Sequence, residues 1–60
     1  MNTIYIIVQT IGDLNDVVDK AYFYYTDAYN KATELRNEAH SNGYTDFEYS
    51  IKALEIVGLK

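Results

Sequence analysis

Cysteine is absent from this chain, and histidine occurs once, as His40. The absence of cysteine excludes disulfides and thiolate metal ligands, and one histidine does not build a zinc site alone. The spacing of Asp13, Asp16 and Asp19 lacks the alternate ligands and the final glutamate of a calcium-binding loop. We therefore expect neither a metal nor a cofactor.

Catalytic motifs are also lacking. No Ser or Thr stands in a glycine-flanked nucleophile motif, and no two carboxylates stand out as an acid and base pair. His40 falls near the end of a predicted helix, where the helix dipole favours a cationic cap. A chain of 60 residues offers little preorganisation for catalysis. We predict that the protein is not an enzyme and has no catalytic residue.

Basic residues are few. Five Lys and Arg stand against nine Asp and Glu, so the net charge is -4, which disfavours direct binding to nucleic acid. The same charge permits an acidic protein to occupy a basic groove that normally holds nucleic acid. The candidates for acidic contact with a partner are Asp13, Asp16, Asp19, Asp46 and Glu48.

No apolar run reaches the length of a membrane span, because Ile4–Val8 is followed by Gln9 and Thr10. The first residues lack the basic side chains of a signal peptide. We therefore expect no membrane partner and a cytoplasmic location.

The length predicts a single domain, residues 1–60, with about four elements of secondary structure. A domain this small buries only about 60% of its unfolded surface, so an isolated monomer is marginal. Disulfides, metals and self-association are the usual remedies. Since the first two are excluded, the sequence favours self-association.

The first predicted strand spans Thr3–Thr10 and is apolar on both alternating faces, which indicates a central strand. Gly12–Asp16 has the composition of a hairpin loop, and Val17–Tyr25 reads as the second strand. Phe47–Ile51 alternates as the third strand, with Phe47, Tyr49 and Ile51 facing inward. Leu54 and Ile56 have the opposite parity. Either a bulge switches their facing or the strand is apolar on its second side.

A helix is predicted between the second and third strands. The Thr26 hydroxyl is the expected N-cap, and Asp27 places negative charge in the first turn. One apolar stripe recurs at helical spacing, and Gly43 suits the left-handed residue after the last turn. The stripe consists of Ala28, Ala32, Leu35 and Ala39.

The predicted fold class is α+β with ββαβ order. A helical crossover makes the second and third strands parallel, so the third strand lies beside the first and antiparallel to it. The strand order is therefore 2-1-3, with the doubly apolar first strand in the centre.

One helix covers only one face of a three-stranded sheet, so the second face is expected to serve in dimerisation. We assign Ile4, Ile6, Val8, Phe23 and Ile51 to the helix side, although the two faces can be exchanged. The predicted interface on the other face is Tyr5, Ile7, Tyr22, Tyr24, Leu54 and Ile56. Two such faces packed about 10 Å apart form a second core in a homodimer.

Seven tyrosines occur in the chain, four of them in the stretch from Tyr22 to Tyr29. Aromatic faces on a sheet can stack nucleic-acid bases, but such platforms carry basic residues. Here Lys20 stands alone among four aspartates. The cluster is more typical of a protein interface.

Thr3–Val8, Ala21–Asp27 running into Ala32, and Tyr49–Ile51 together resemble the small uncharacterised ββαβ proteins of phages and mobile elements. The resemblance covers most of the chain. It implies an accessory protein that works in the host-cell cytoplasm, and it transfers no functional residue.

We predict a non-enzymatic protein-interaction module. The most specific version of this prediction is a phage-type inhibitor, such as an anti-CRISPR, of a host defence or nucleic-acid-processing protein with a basic surface. One alternative is a homodimer that binds or sequesters a small molecule between tyrosines at the dimer seam. Another is a regulator whose only role is assembly with a partner chain.

Overall fold

A computed structural model describes residues 2–56 of the chain. These residues form three strands and one helix, in the order β1, β2, α1, β3. The elements are β1 (Asn2–Ile11), β2 (Leu14–Tyr22), α1 (Tyr25–Ser41) and β3 (Phe47–Ile56). The sheet order is β2-β1-β3, and β1 is antiparallel to both neighbours. The predicted α+β class, the 2-1-3 order and the packing of a helix on the sheet are confirmed.

The hairpin between β1 and β2 is tighter than the sequence predicted. Ile11 lies opposite Leu14, so only Gly12 and Asp13 form the loop. Gly12 has a φ of +61°, the conformation that two-residue hairpin loops with a first-position glycine require. Because the loop is this short, the second strand begins and ends three residues earlier than the predicted Val17–Tyr25.

The middle of β2 is irregular. Ile7 lies opposite Val18 and Tyr5 opposite Tyr22, so four steps along β2 match two along β1. Asp19 within this bulge has a φ of +64°, a conformation that Asp tolerates better than most residues. A bulge of this kind bends and twists the strand that carries it.

The helix begins at Tyr25, with extended Tyr24 as N-cap and no side-chain hydrogen bond at the cap. The prediction that Thr26 caps the helix is therefore wrong, since Thr26 already lies in the first turn. The Tyr25 ring packs edge-on against the Tyr5 ring, with the ring centroids 5.7 Å apart. This contact with the sheet holds the first turn of the helix. Asp27 occupies the first turn as predicted.

The helix ends in a Schellman arrangement. The Tyr44 N–H donates to the Ala39 carbonyl at 2.9 Å, and the Gly43 N–H donates to the His40 carbonyl at 3.1 Å. Gly43 has a φ of +90°, as the sequence predicted for the residue after the last turn. The Tyr44 ring then stacks on Phe47 at the start of β3, with centroids 4.9 Å apart.

The core lies between α1 and the face of the sheet formed by odd-numbered residues of β1. Ile7 is completely buried against Ala28 and Ala32. The partly buried side chains around them are Tyr5, Val18, Tyr22, Leu35, Tyr49 and Ile51. Within residues 2–56, Ile7 is the one large side chain with no exposed surface. The core is small, as expected for a chain of this length.

The overall shape is that of a plate. The radius of gyration is 12.8 Å, against about 10 Å for a compact chain of this length. The extents are 46 × 24 × 12 Å, so the thin dimension accommodates one helix on one sheet and nothing more. The second face of the sheet is left without a covering element.

Removing one methylene group on either side of the sheet tests which face is the core. Ile7→Val should lower the free energy of unfolding by about 1 kcal/mol, because Ile7 is completely buried. Ile6→Val, the same chemical change on the preceding residue, should cost less than about 0.5 kcal/mol, because Ile6 is only partly buried. Urea denaturation followed by circular dichroism measures both. A larger loss of stability from Ile6→Val than from Ile7→Val would contradict this, because the core would then lie on the Ile6 side of the sheet.

Candidate protein-binding surface

The uncovered face of the sheet is built on the even-numbered residues of β1. Directly opposite residues of neighbouring strands point to the same face, and Val8 is paired with Val17 while Ile4 is paired with Leu54. We call this surface the open face. Its apolar members are Ile4, Ile6, Val8, Val17, Leu54 and Ile56.

These apolar side chains remain accessible to solvent. Val17 is 60% exposed and Leu54 is 41% exposed, while the side chains of Ile4, Ile6 and Val8 are partly covered by their neighbours. A contiguous apolar patch on a sheet face is unusual for an isolated domain and marks a contact surface.

The open face becomes polar toward the β1–β2 hairpin. Thr10 lies opposite both Asn15 and Glu48, and its hydroxyl donates to the Asn15 side-chain oxygen at 2.8 Å. Lys52, opposite Ile6, is the basic residue of this face among the described residues. The surface therefore combines an aliphatic middle with a polar end, as protein interfaces do.

Four of the five predicted acidic contact residues gather at one end of the sheet. Ile11 lies opposite both Leu14 and Phe47, so the β1–β2 loop and the start of β3 meet there. The four residues are Asp13, Asp16, Asp46 and Glu48, and we call them the acidic end. Its negative potential is reinforced by the carboxyl end of α1, which joins this region through the Tyr44–Phe47 stack.

Asp19 lies away from the acidic end, in the bulge of β2. It accepts a hydrogen bond from the Tyr22 hydroxyl. This bond lowers the pKa of the Asp19 carboxyl below its ordinary value of 3.8 and raises the pKa of the Tyr22 hydroxyl above 10.0. Asp19 thus has a local structural role in holding the irregular strand.

The predicted interface is only partly right about which face is open. Tyr5, Ile7 and Tyr22 pack into the core under α1, so their assignment to the uncovered face is wrong. Tyr24 is 71% exposed, but as the helix N-cap it is not on the sheet. Leu54 and Ile56 lie on the open face, because β3 continues to Ile56 without a bulge.

The helix-side assignment was correspondingly exchanged. Ile4, Ile6 and Val8 lie on the open face, and Phe23 is 74% exposed in the segment before the helix. Ile51 lies on the helix side as predicted, opposite Ile7.

Sequence reasoning could have found the correct face from the size of the helix residues. Ala28 and Ala32 project little from α1, so the sheet beneath them must supply bulk. The tyrosine rings supply it, with Tyr5 and Tyr22 on the core side and Gln9 donating to the Tyr49 hydroxyl at 2.8 Å. Three of the seven tyrosines, Tyr5, Tyr22 and Tyr49, pack against the core, while aliphatic residues line the open face.

A shallow groove of about 240 Å³ runs between α1 and β3. Tyr25 and Tyr29, stacked at 6.1 Å, line it from the helix together with Arg36, and Tyr49 lines it from the sheet. Its volume lies below the usual range of roughly 300–1,000 Å³ for small-molecule sites. Within residues 2–56, no cluster of three or more His, Cys, Asp or Glu is arranged to hold a metal ion.

Comparisons with protein-family models, curated proteins and solved structures find no match to the chain. The resemblance to phage and mobile-element proteins therefore stays a prediction. Among the described residues, no helix has the length and apolar character needed to cross a membrane.

The Asp19–Tyr22 hydrogen bond predicts a specific pH dependence. Because the folded-state pKa of Asp19 is lowered, the bond stabilises the fold above pH 3.8, and this contribution is lost as the pH falls below that value. In Tyr22→Phe the Asp19 pKa should rise toward 3.8, and the variant should lose less stability on acidification than the wild type.

Carboxyl NMR titration and thermal melts at decreasing pH measure these two effects. Asp19→Asn is the matched control, because Asn tolerates the left-handed backbone while removing the charge. Identical Asp19 pKa values in the wild type and Tyr22→Phe would show that the hydroxyl does not hold the carboxylate.

Proposed function

We propose that this protein is a non-enzymatic protein-binding module. Its open face docks on an apolar surface of a partner protein, and its acidic end faces basic residues beside that surface. The observation that carries this proposal is the single helix on one side of the sheet, which leaves apolar residues of all three strands at least partly accessible to solvent on the other.

The size of the open face explains why the aliphatic middle and the acidic end are both needed for binding. Three strands about 4.8 Å apart and about 30 Å long span on the order of 400 Å² in projection. A stable interface buries roughly 800 Å² on each partner. Contacts beyond the aliphatic middle must therefore contribute, and the acidic end is continuous with the face through Glu48.

Charge restricts the chemistry of the partner. The acidic end repels nucleic acid and attracts basic protein surfaces, and it speeds association more than it adds affinity. A basic groove that normally holds nucleic acid has the matching character. This supports the proposal of an inhibitor of a host defence or nucleic-acid-processing protein, acting in the cytoplasm and, if phage-encoded, in that of the host cell.

Substitutions confined to exposed positions test the proposed surface. The double variant Val17→Ser and Leu54→Ser should keep its fold, since both residues lie outside the core and are 60% and 41% exposed in the free protein. Its affinity for the partner should fall at least about tenfold, because the interface loses two apolar contacts.

The matched control is Phe23→Ser with Tyr24→Ser, which removes exposed apolar area away from the sheet. Proteins captured from a lysate by the wild type are compared with those captured by both variants, and each specific partner is then purified for calorimetry at increasing salt. The proposal requires a partner that the face variant loses, that the control retains and whose affinity falls with salt. A face variant that binds every partner as the wild type does contradicts it.

A further inference from the structure

The two edges of the sheet differ in their suitability for pairing with another strand. β2 is interrupted by its bulge and by the left-handed Asp19, devices that protect an edge. β3 pairs with β1 over ten consecutive residues without any shift, and its sequence contains no proline. Its outer side therefore presents a long, regular row of backbone donors and acceptors.

The groove between α1 and β3 runs beside this outer edge. It is lined by Ser50 as well as by Tyr49 and Ile51, so three consecutive residues of β3 border the open space. From the helix, Tyr29 and Arg36 flank the same space. An added strand has room beside β3 and next to Tyr29 and Arg36 of α1.

The charges on β3 favour β3 of a second copy of this chain as the added strand. Glu48 and Lys52 are both exposed and lie on the open face. Among residues 2–56 the ion pair is Lys31–Glu34, and neither Glu48 nor Lys52 has an ionic partner among these described residues. Two residues four apart in one strand are about 13 Å apart and cannot pair with each other.

Two-fold symmetry limits the possible registers. An axis perpendicular to the sheet makes the two β3 strands antiparallel and pairs only residues of the same face. If the axis passes through Ser50, Glu48 of each copy lies opposite Lys52 of the other, and Tyr49 lies opposite Ile51. If it passes through Ile51, Phe47 lies opposite Glu55. If it passes through Lys52, the two lysines lie opposite each other.

We propose that two copies of this protein pair antiparallel through the outer edges of β3, with Ser50 at the two-fold axis. The dimer contains a continuous six-stranded sheet with both α1 helices on one side. The two grooves meet above the Tyr49–Ile51 pairs, where aromatic and β-branched side chains pack favourably. The two open faces join into one surface of twice the area. This pairing does not depend on the proposed partner, and because it uses Glu48, the acidic end left for a partner in the dimer is Asp13, Asp16 and Asp46.

Charge exchange tests the register in the protein alone. The variants Glu48→Lys and Lys52→Glu each place like charges opposite each other twice, so the dimer dissociation constant should rise about tenfold or more. The double variant with the two charges exchanged should return to within about threefold of the wild type. Glu38→Lys, on the exposed side of α1, controls for the change in net charge of Glu48→Lys.

Sedimentation equilibrium over a range of concentrations gives the dissociation constants, and circular dichroism verifies that each variant is folded. Amide hydrogen exchange should also show protection at alternate residues between 47 and 53 that appears only at dimer-forming concentrations. A wild-type monomer at every concentration overturns the proposal. So does a double variant no stronger than the single ones, or a dimer that Val17→Ser with Leu54→Ser disrupts while the charge variants do not, which would indicate face-to-face pairing.

Discussion

The contact between Ile7 and the small residues of α1 is the constraint on which the rest of the structure depends. Ala28 and Ala32 let the helix approach the sheet closely, and Ile7 of the central strand is completely buried beneath them. Since successive strand residues alternate in facing, this one contact commits Tyr5 to the core and Ile4, Ile6 and Val8 to the other side. The identity of the open face follows from it.

The functional features are consequences of this small, one-sided core. A sheet with one helix has a second face to cover, and a sheet with three strands has two edges. The bulge at Asp19 closes one edge, and the regular pairing of β3 leaves the other available. The short hairpin gathers acidic residues at one end. We propose each of these features as a site of contact with another chain.

The sequence predicted the topology because two independent patterns agreed on it. The doubly apolar first strand indicated a central position, and the crossover helix required the third strand beside it. The same pattern did not show which face of the sheet the helix covers, since Ile6 and Ile7 are equally apolar. Tyr5 and Tyr22 were assigned to the wrong face because a tyrosine ring suits a core while its hydroxyl suits a surface. The bulge and the groove depend on tertiary packing, so no local pattern could predict them.

The most direct test of the account is the solvent accessibility of isoleucine methyl groups in the isolated protein. A soluble paramagnetic probe broadens the NMR signals of methyl groups that it can approach. We expect broadening at Ile4 and Ile6 and protection at Ile7, since α1 completely buries Ile7 and leaves the other two residues on the open face. Strong broadening at Ile7 together with protection at Ile6 would contradict the account, because the helix would then cover the opposite face.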